Sequence, residues 1–561
     1  MSNSPFVKFN LVNKNVAVTT PSNGISAILA RTTKGPQNDA SILINSVTKF
    51  EEVYGKEIVP DGSVSNIEKA LAGGSTLRIV RVQASDATKG VVGTASADLF
   101  TFTSGSTTVG FGLRTKNKGD AIGSGTSYSF QAAQVGNNVA YKVLDADGTT
   151  VLDSGNLFSY LAADKVNKTS IDYIALNNYF NSNPFFEAVI TTPAEAAGIT
   201  SIDDLISWLA EKVDDTANTI SVKFNAKALT SAYQSVTGTT GNAGTKPTAQ
   251  NWQDALDSIK DYNDMYQVAA SSIHQHLSSD DALLFHAYAA IMANELEEWI
   301  YYIEVPKDND TKAKIITWMT TVLSAVGHSK FVAYFAGGIK YYNLNGTLKD
   351  SDIIGSIIGL GDAAASSYGP YRSFAGMNRG TLPDANGPVC PNYGSPSRYD
   401  ELNELAQNYV NMIVVKDTRT SGKVTMLWHN FTSQVKQDSF IFLSTVRLCL
   451  YIKKQLRPIL ESYIEEPTIW SSWKRIYLEG KPIMDNLAAD NALTDWVWDG
   501  DQDATSWDQL KVNNEADCRH GKYKLQIHFK DVATMQEITV DLILDQASQA
   551  VTATISNISN N

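Results

Sequence analysis

The chain has 561 residues, 43% hydrophobic and 19% charged, which excludes a disordered polymer and, at roughly 150 residues per domain, predicts several domains or one large domain with an insertion. Lys and Arg number 46 against 59 Asp and Glu, and the net charge of −13 argues against a protein that coats nucleic acid, because phosphate neutralisation needs a basic face. Cys390, Cys449 and Cys518 are too few and too scattered for a structural zinc site or a disulfide framework.

The opening MSNSPFVKFNLV lacks a basic stretch followed by an apolar run, so no secretory signal is expected, and no apolar run nears the ~18 residues of a membrane span. Residues 1–20 read as an extended arm. Phe9, Leu11 and, after a break, Val16 and Val18 recur at period two, with no partner strand nearby in sequence. Ile25–Ala30 reads as a strand ended by a Gly35-Pro36 turn, Ser46–Tyr54 as a capped helix, Ile67–Leu71 as helix up to Gly73-Gly74, and Leu77–Val82 as a strand. Strand, helix, helix, strand opens an α/β layer.

After Ala84 the texture changes to Gly, Ser, Thr and Asn with short strand-like runs. Tyr141–Leu144 and Thr149–Leu152 flank a turn at Asp145–Gly148, and Thr237–Thr245 reads as a loop leaving a β-rich insertion. Helical texture returns at Asn251, with Ala255, Leu256, Ile259 and Tyr262 on one face. Leu283–Trp299 and Lys312–Val326 then read as helices, and Ile300–Val305 and Phe331–Phe335 as strands, which resumes the interrupted layer.

Beyond Leu402, two long helix candidates precede a hairpin signal. Tyr523, Leu525, Ile527 and Phe529 alternate with polar residues, as do Ile538, Val540, Leu542 and Leu544. An isolated hairpin is marginal in water and needs further strands or a covering helix. Val551–Ile555 is one more strand-like piece. The expected architecture is α/β and multidomain: an arm at 1–20, a discontinuous α/β core at 21–86 and 241–390, a β-rich insertion at 87–240, an α+β C-terminal domain at 391–544 and a second arm at 545–561.

Local chemistry is sparse. Ser421-Gly422-Lys423-Val424-Thr425 is similar to part of a phosphate loop, but Asp417 occupies the place of the first glycine and Val424 that of Ser/Thr, so an ordinary turn is the better reading. Gly359-Leu360-Gly361 lacks the third glycine of a dinucleotide fingerprint and reads as a loop. His274 and His276, near Asp280, Asp281 and His286, form the one candidate metal cluster. The commoner alternative is a helix start capped by Ser278 or Ser279, with two acids at its positive end. No catalytic set, metal or cofactor is expected. Arg447, Lys453, Lys454 and Arg457 project from the helix around Phe440–Ile464 within roughly a third of its circumference. They could meet an acidic partner or form a solvated face.

Read in order, these segments resemble the contractile-tail sheath family of phage tails and injection systems. Thr32-Thr33-Lys34-Gly35-Pro36 and Phe50-Glu51-Glu52-Val53-Tyr54-Gly55 are similar to the family's opening strand, turn and helix, and Gly73–Val82 to its "GG-x-x-x-x-V-V-R-V" strand. Ala249–Ala269 resembles the segment returning from the insertion. Asp352–Gly355 through Gly369–Gly376 resembles the "G-P-W-x-A-P-A" passage, with Tyr371 and Phe374 where Trp and Pro are usual. Val424–Thr432 parallels the "V-W-G-x-R-T" strand, with His429 and Phe431 replacing Gly and Arg, and Phe442–Leu448 parallels the "N-V-R-R" helix start.

The resemblance covers about two-thirds of the chain. It implies a non-enzymatic, cofactor-free subunit that polymerises helically around a tail tube and contracts to drive the tube through the host envelope during genome delivery. It implies baseplate and neck proteins as further partners, no nucleic-acid partner, no membrane insertion, and a place in the virion after assembly in the host cytoplasm. Terminal arms would add strands to neighbours, with Phe9, Leu11, Val16, Val18, Val551 and Ile555 as donors and Tyr523, Leu525, Ile527, Phe529, Ile538, Val540, Leu542 and Leu544 as receivers. Arg447, Lys453, Lys454 and Arg457 become the tube-facing candidates. Alternatives are an injection- or secretion-system sheath, a tail-tube or capsid protein, and a soluble α/β enzyme with a β insertion and a pocket at His274, His276 and His286.

Overall fold

The computed structural model describes residues 25–532, except 57–62, 95–97, 162–169, 172, 184, 191–197, 215–219, 343–347, 384, 419–421 and 436–438. The positions Phe9, Leu11, Val16, Val18, Ile538, Val540, Leu542, Leu544, Val551 and Ile555 lie outside the described residues.

Eight strands form the core sheet, in the spatial order Leu43–Ile44, Thr76–Arg81, Ile25–Ala30, Gln267–Ala270, Ile300–Glu304, Val332–Ala336, Val410–Thr418 and Gly422–Leu427. The six inner strands are parallel, with registers such as Ile28↔Ile79, Ala27↔Val268, Val268↔Tyr301, Ile303↔Tyr334 and Phe335↔Asn411. Both margins are antiparallel. Strands 25–30, 300–304 and 332–336 are buried at every residue, which is why they read as unbroken apolar runs rather than alternating ones. The two sequence-distant halves meet where 25–30 pairs with 267–270, so the layer is discontinuous in sequence, as expected.

Several predicted elements form with small shifts in their ends. The short helix is Val47–Tyr54, where Ser46 Oγ accepts the Lys49 N–H and the Tyr54 hydroxyl donates to the Ile79 carbonyl. Helices also occupy Ser279–Leu296 and Lys312–Val326. The helix returning from the insertion is Ala249–Asp257, so Ile259 and Tyr262 lie past its end.

Gly359-Leu360-Gly361 is not a loop. It lies inside the helix Ile354–Tyr368, which packs against Ser63–Ala72. A Cβ on Gly73 would sit 2.6 Å from Gly359 Cα, and one on Gly355 would sit 1.9 Å from the Asn66 carbonyl oxygen, so the backbones approach only because these positions lack side chains.

The insertion holds two five-stranded sheets with a separate aromatic core that includes Phe100, Phe111, Phe130, Phe158 and Phe224. Tyr141–Leu144 pairs across the expected turn, with Leu144 opposite Val151. Two corrections apply. Helices Tyr173–Ser182 and Ile202–Asp214 accompany the strands, and Thr237–Thr239, read as loop, belongs to a strand paired with Ser127–Ser129. The insertion is pinned to the core by Arg81, which has no exposed surface. Its guanidinium donates to the carbonyls of Thr32, Gly35, Lys118 and Gly119 and to Asp120 Oδ1 at 2.7 Å.

Val410–Thr418 and Gly422–Leu427, past residue 390, complete the core sheet. The C-terminal module begins with the helix Leu443–Glu461, which runs through Pro458, and continues with Trp470–Ala489. Its core unites Leu448, Leu456, Ile476, Met484, Leu487 and Trp498.

Candidate assembly surfaces

The C-terminal module ends its described portion in a two-stranded antiparallel sheet, Leu493–Asp499 with Gln526–Asp531, in the register Trp496↔Phe529 and Trp498↔Ile527. The strand at the predicted Tyr523–Phe529 position therefore has a partner that sequence reading missed. The available signal was Trp496 and Trp498 alternating with Asp495, Val497 and Asp499, interrupted by a register shift between Leu493 and Asp495. Trp498 is buried, and Trp496, Tyr523, Leu525, Ile527 and Phe529 pack against the module's own helices. The Tyr523 ring stacks on Trp473 at 5.4 Å and its hydroxyl donates to the Gly500 carbonyl.

These apolar side chains thus face inward within one subunit. Among the described residues each of the two strands pairs along one side only. Val497, 51% exposed, adds an apolar patch on the outer face.

The four basic residues make contacts inside the subunit. Arg447 and Lys454 are 1% and 4% exposed. Arg447 donates to the Gly361 carbonyl at 3.0 Å and lies over the Phe374 ring, beside the fully buried Asp362. Asp362 accepts from Ser26 Oγ at 2.7 Å and from Gln267 Nε2 at 2.5 Å, and Gly361 leaves room for that convergence. Burial pushes the Asp362 carboxyl up to about 6, against the opposing effect of these donors and of Arg447.

Lys453, Lys454 and Arg457 converge on one carboxylate, Glu298. Lys453 Nζ lies 2.9 Å from Oε1, Lys454 Nζ 3.4 Å from Oε2, and the Arg457 guanidinium bonds both oxygens. Burial would raise the Glu298 carboxyl, but the Arg457 and Lys453 hydrogen bonds and the Lys454 charge hold it below its usual value. Burial lowers Lys454 to about 8. Helical spacing put the four cations on one side correctly, and that side faces the core. Glu298 follows the left-handed turn at Glu297, and nothing in the local sequence links it to a helix so far along the chain.

The histidines do not form a metal centre. Ser278 caps the helix by accepting the Asp281 N–H, with Asp280 and Asp281 in its first turn. His276 points away to Ser63 and stacks on Trp252, while His274 Nε2 meets His286 Nε2 at 3.3 Å and His286 Nδ1 meets the Tyr301 hydroxyl at 2.8 Å. Burial pushes His274 down to about 4 and His286 well below the usual range, so both rings are neutral near pH 7. Among the described residues no group of three or more His, Cys, Asp or Glu could hold a metal ion, and no helix is long and apolar enough to cross a membrane.

A discontinuous parallel α/β core, a β insertion pinned to it and a C-terminal module with an open-edged sheet define the class: this chain has the fold of the sheath tail proteins. The sheath tail protein of Desulfitobacterium hafniense matches with a TM-score of 0.52 over 89% of this chain and 94% of that one, at 14% identity. The sheath tail protein of Listeria innocua matches at 0.51 over 91% and 95%, at 13% identity. No protein-family model and no curated protein sequence matches the chain.

Proposed function

We propose that the chain is the structural subunit of a contractile tail sheath, polymerising helically around a tail tube and contracting to drive that tube through a cell envelope. The observation that carries this reading is the open-edged sheet 493–499/526–531 within a sheath tail fold. A two-stranded sheet with free edges is marginal alone and is completed by added strands. The segments 1–20 and 545–561, whose Phe9, Leu11, Val16, Val18, Val551 and Ile555 give them strand-like patterning, are the proposed donors from neighbouring copies. Each backbone hydrogen bond so formed contributes a net ~0.5–1.5 kcal/mol, enough over a short strand to hold copies together.

Head-to-tail addition of this kind is open and generates a helix. Arg81, Arg447 and Glu298 tie the insertion, core and C-terminal module together, which supports a subunit that keeps its internal packing while contacts between copies change. The function is mechanical rather than enzymatic. The proposed partners are further copies, tube, baseplate and neck proteins, in a virion or a related extracellular particle.

Negative-stain electron microscopy of the full chain and of a variant lacking residues 1–20, each mixed with tail tubes, tests this. Coated tubes or hollow cylinders from the full chain, lost on truncation, are expected. A monodisperse monomer that coats no tube, with or without residues 1–20, would refute it.

A further inference from the structure

A cavity of about 670 Å³ opens beside the carboxyl ends of strands Gln267–Ala270 and Ile300–Glu304. It lies outside the carboxyl ends of these parallel strands, one strand along from the point between 25–30 and 267–270 where the sheet reverses its winding. Open α/β sheets collect ligands at such points, and the volume falls within the roughly 300–1,000 Å³ of small-molecule sites. Ile273, Leu277, Leu283 and Trp318 supply an apolar wall, and the buried carboxyls of Glu304 and Asp352 supply an acidic one.

Three acids, Glu304, Asp308 and Asp352, line this cavity against two cations, Lys307 and Lys314. Asp352 Oδ2 accepts from Ser272 Oγ at 2.7 Å and Gln275 Nε2 at 2.9 Å, and Oδ1 faces Lys307 Nζ at 3.9 Å. Glu304, 8% exposed, accepts the Ile353 N–H at 2.5 Å but has no Lys or Arg within ion-pair distance among the described residues. His274 stands beside it and stays neutral. Burial, then the Asp352 charge, push the Glu304 carboxyl well above its usual range, against the Ile353 and Ile354 N–H groups and the Lys69 charge, so an ammonium arriving at this wall would favour its ionised form. Ser272 is held at φ 51°, a left-handed conformation costing about 1–3 kcal/mol in a non-glycine residue, and there its hydroxyl reaches Asp352.

We propose that this cavity binds a small organic cation, a primary amine on an apolar body, with its ammonium at Glu304 and Asp352 and its body against Trp318 and Leu283. The proposal goes beyond the sheath reading and does not rest on it. Isothermal titration of the full-length protein with tryptamine, and with indole-3-acetate as a control of like ring and opposite charge, tests it. Tryptamine is expected to bind at least about tenfold more tightly than the acid, a difference of ~1.4 kcal/mol. Glu304→Gln should weaken it by a similar factor. Because Glu304 also caps the helix 354–368, the second variant is Thr317→Trp, which fills the mouth from an exposed helix position and should abolish binding in a folded protein. Equal affinity for the two indoles, no tryptamine binding, or binding unchanged by Thr317→Trp would overturn the proposal.

Discussion

Replacing Glu298 by glutamine removes the carboxylate on which Lys453, Lys454 and Arg457 converge. The Lys453 side chain is 38% exposed, so its contact contributes at most about 1 kcal/mol. The Lys454 side chain is 2% exposed and cannot regain water, and Arg457 loses a bidentate partner. Leaving a buried charge unpaired costs about 3–5 kcal/mol, and that is the loss expected at pH 7. The pH dependence sharpens the test. Lys454 titrates near 8 in the fold against 10.5 in the open chain, so between those values the unfolded state holds more protons and stability from this group rises with pH. Without Glu298 the folded value drops further, and the window opens downward from 8. The variant's deficit should therefore shrink between pH 7 and pH 9 as Lys454 loses its charge. Urea unfolding followed by circular dichroism at both pH values measures this. A loss below about 1 kcal/mol, or one identical at the two pH values, would refute the reasoning.

Three further expectations use the same measurements. Asp362→Ala removes the carboxylate beside the buried Arg447, takes the acceptor from Ser26 Oγ and leaves Gln267 Nε2 only the Ile358 carbonyl, and should lower stability by about 3–5 kcal/mol, with Asp362→Asn milder; equal stability to the parent would show that the network does not tie the modules. His274 is depressed from 6.5 to about 4, so its contribution is complete above pH 6.5 and is lost as pH falls toward 4, about 3 kcal/mol in all; a His274→Gln/His286→Leu variant should flatten the melting profile across that range, and an unchanged profile would count against it. Gly73→Val drives a side chain into the Gly359 backbone and should cost about 1–3 kcal/mol, read as a lower melting temperature, whereas substitution at the uncrowded Gly136 tests only its positive φ.

Much of the layer order was legible before any coordinates. Period-two and period-3.6 patterns, the Gly35-Pro36 turn, the Ser278 cap and the change of texture after Ala84 are local signals, and each formed near where the sequence placed it. The alternation of Tyr523, Leu525, Ile527 and Phe529 likewise marked a face that packs inward. Local pattern stopped being enough where a residue's partner was distant. Val410–Val415 has no alternation because a parallel strand buried on both faces needs none, so its membership of the core sheet shows only in its pairing with Tyr334–Ala336. Gly359 and Gly361 look like loop residues until a second helix lies against them.

The sequence by itself determined the elements, the apolar side of each strand and the common side of Arg447, Lys453, Lys454 and Arg457. Only the tertiary structure decided that this side faces Glu298 and Asp362, that Glu304 lines a cavity beside Asp352, and that, among the described residues, each C-terminal strand pairs along one side only. The physical reason is that periodicity records which residues share a side, whereas the cost of burying a charge or leaving an edge unpaired depends on what arrives from elsewhere in the chain.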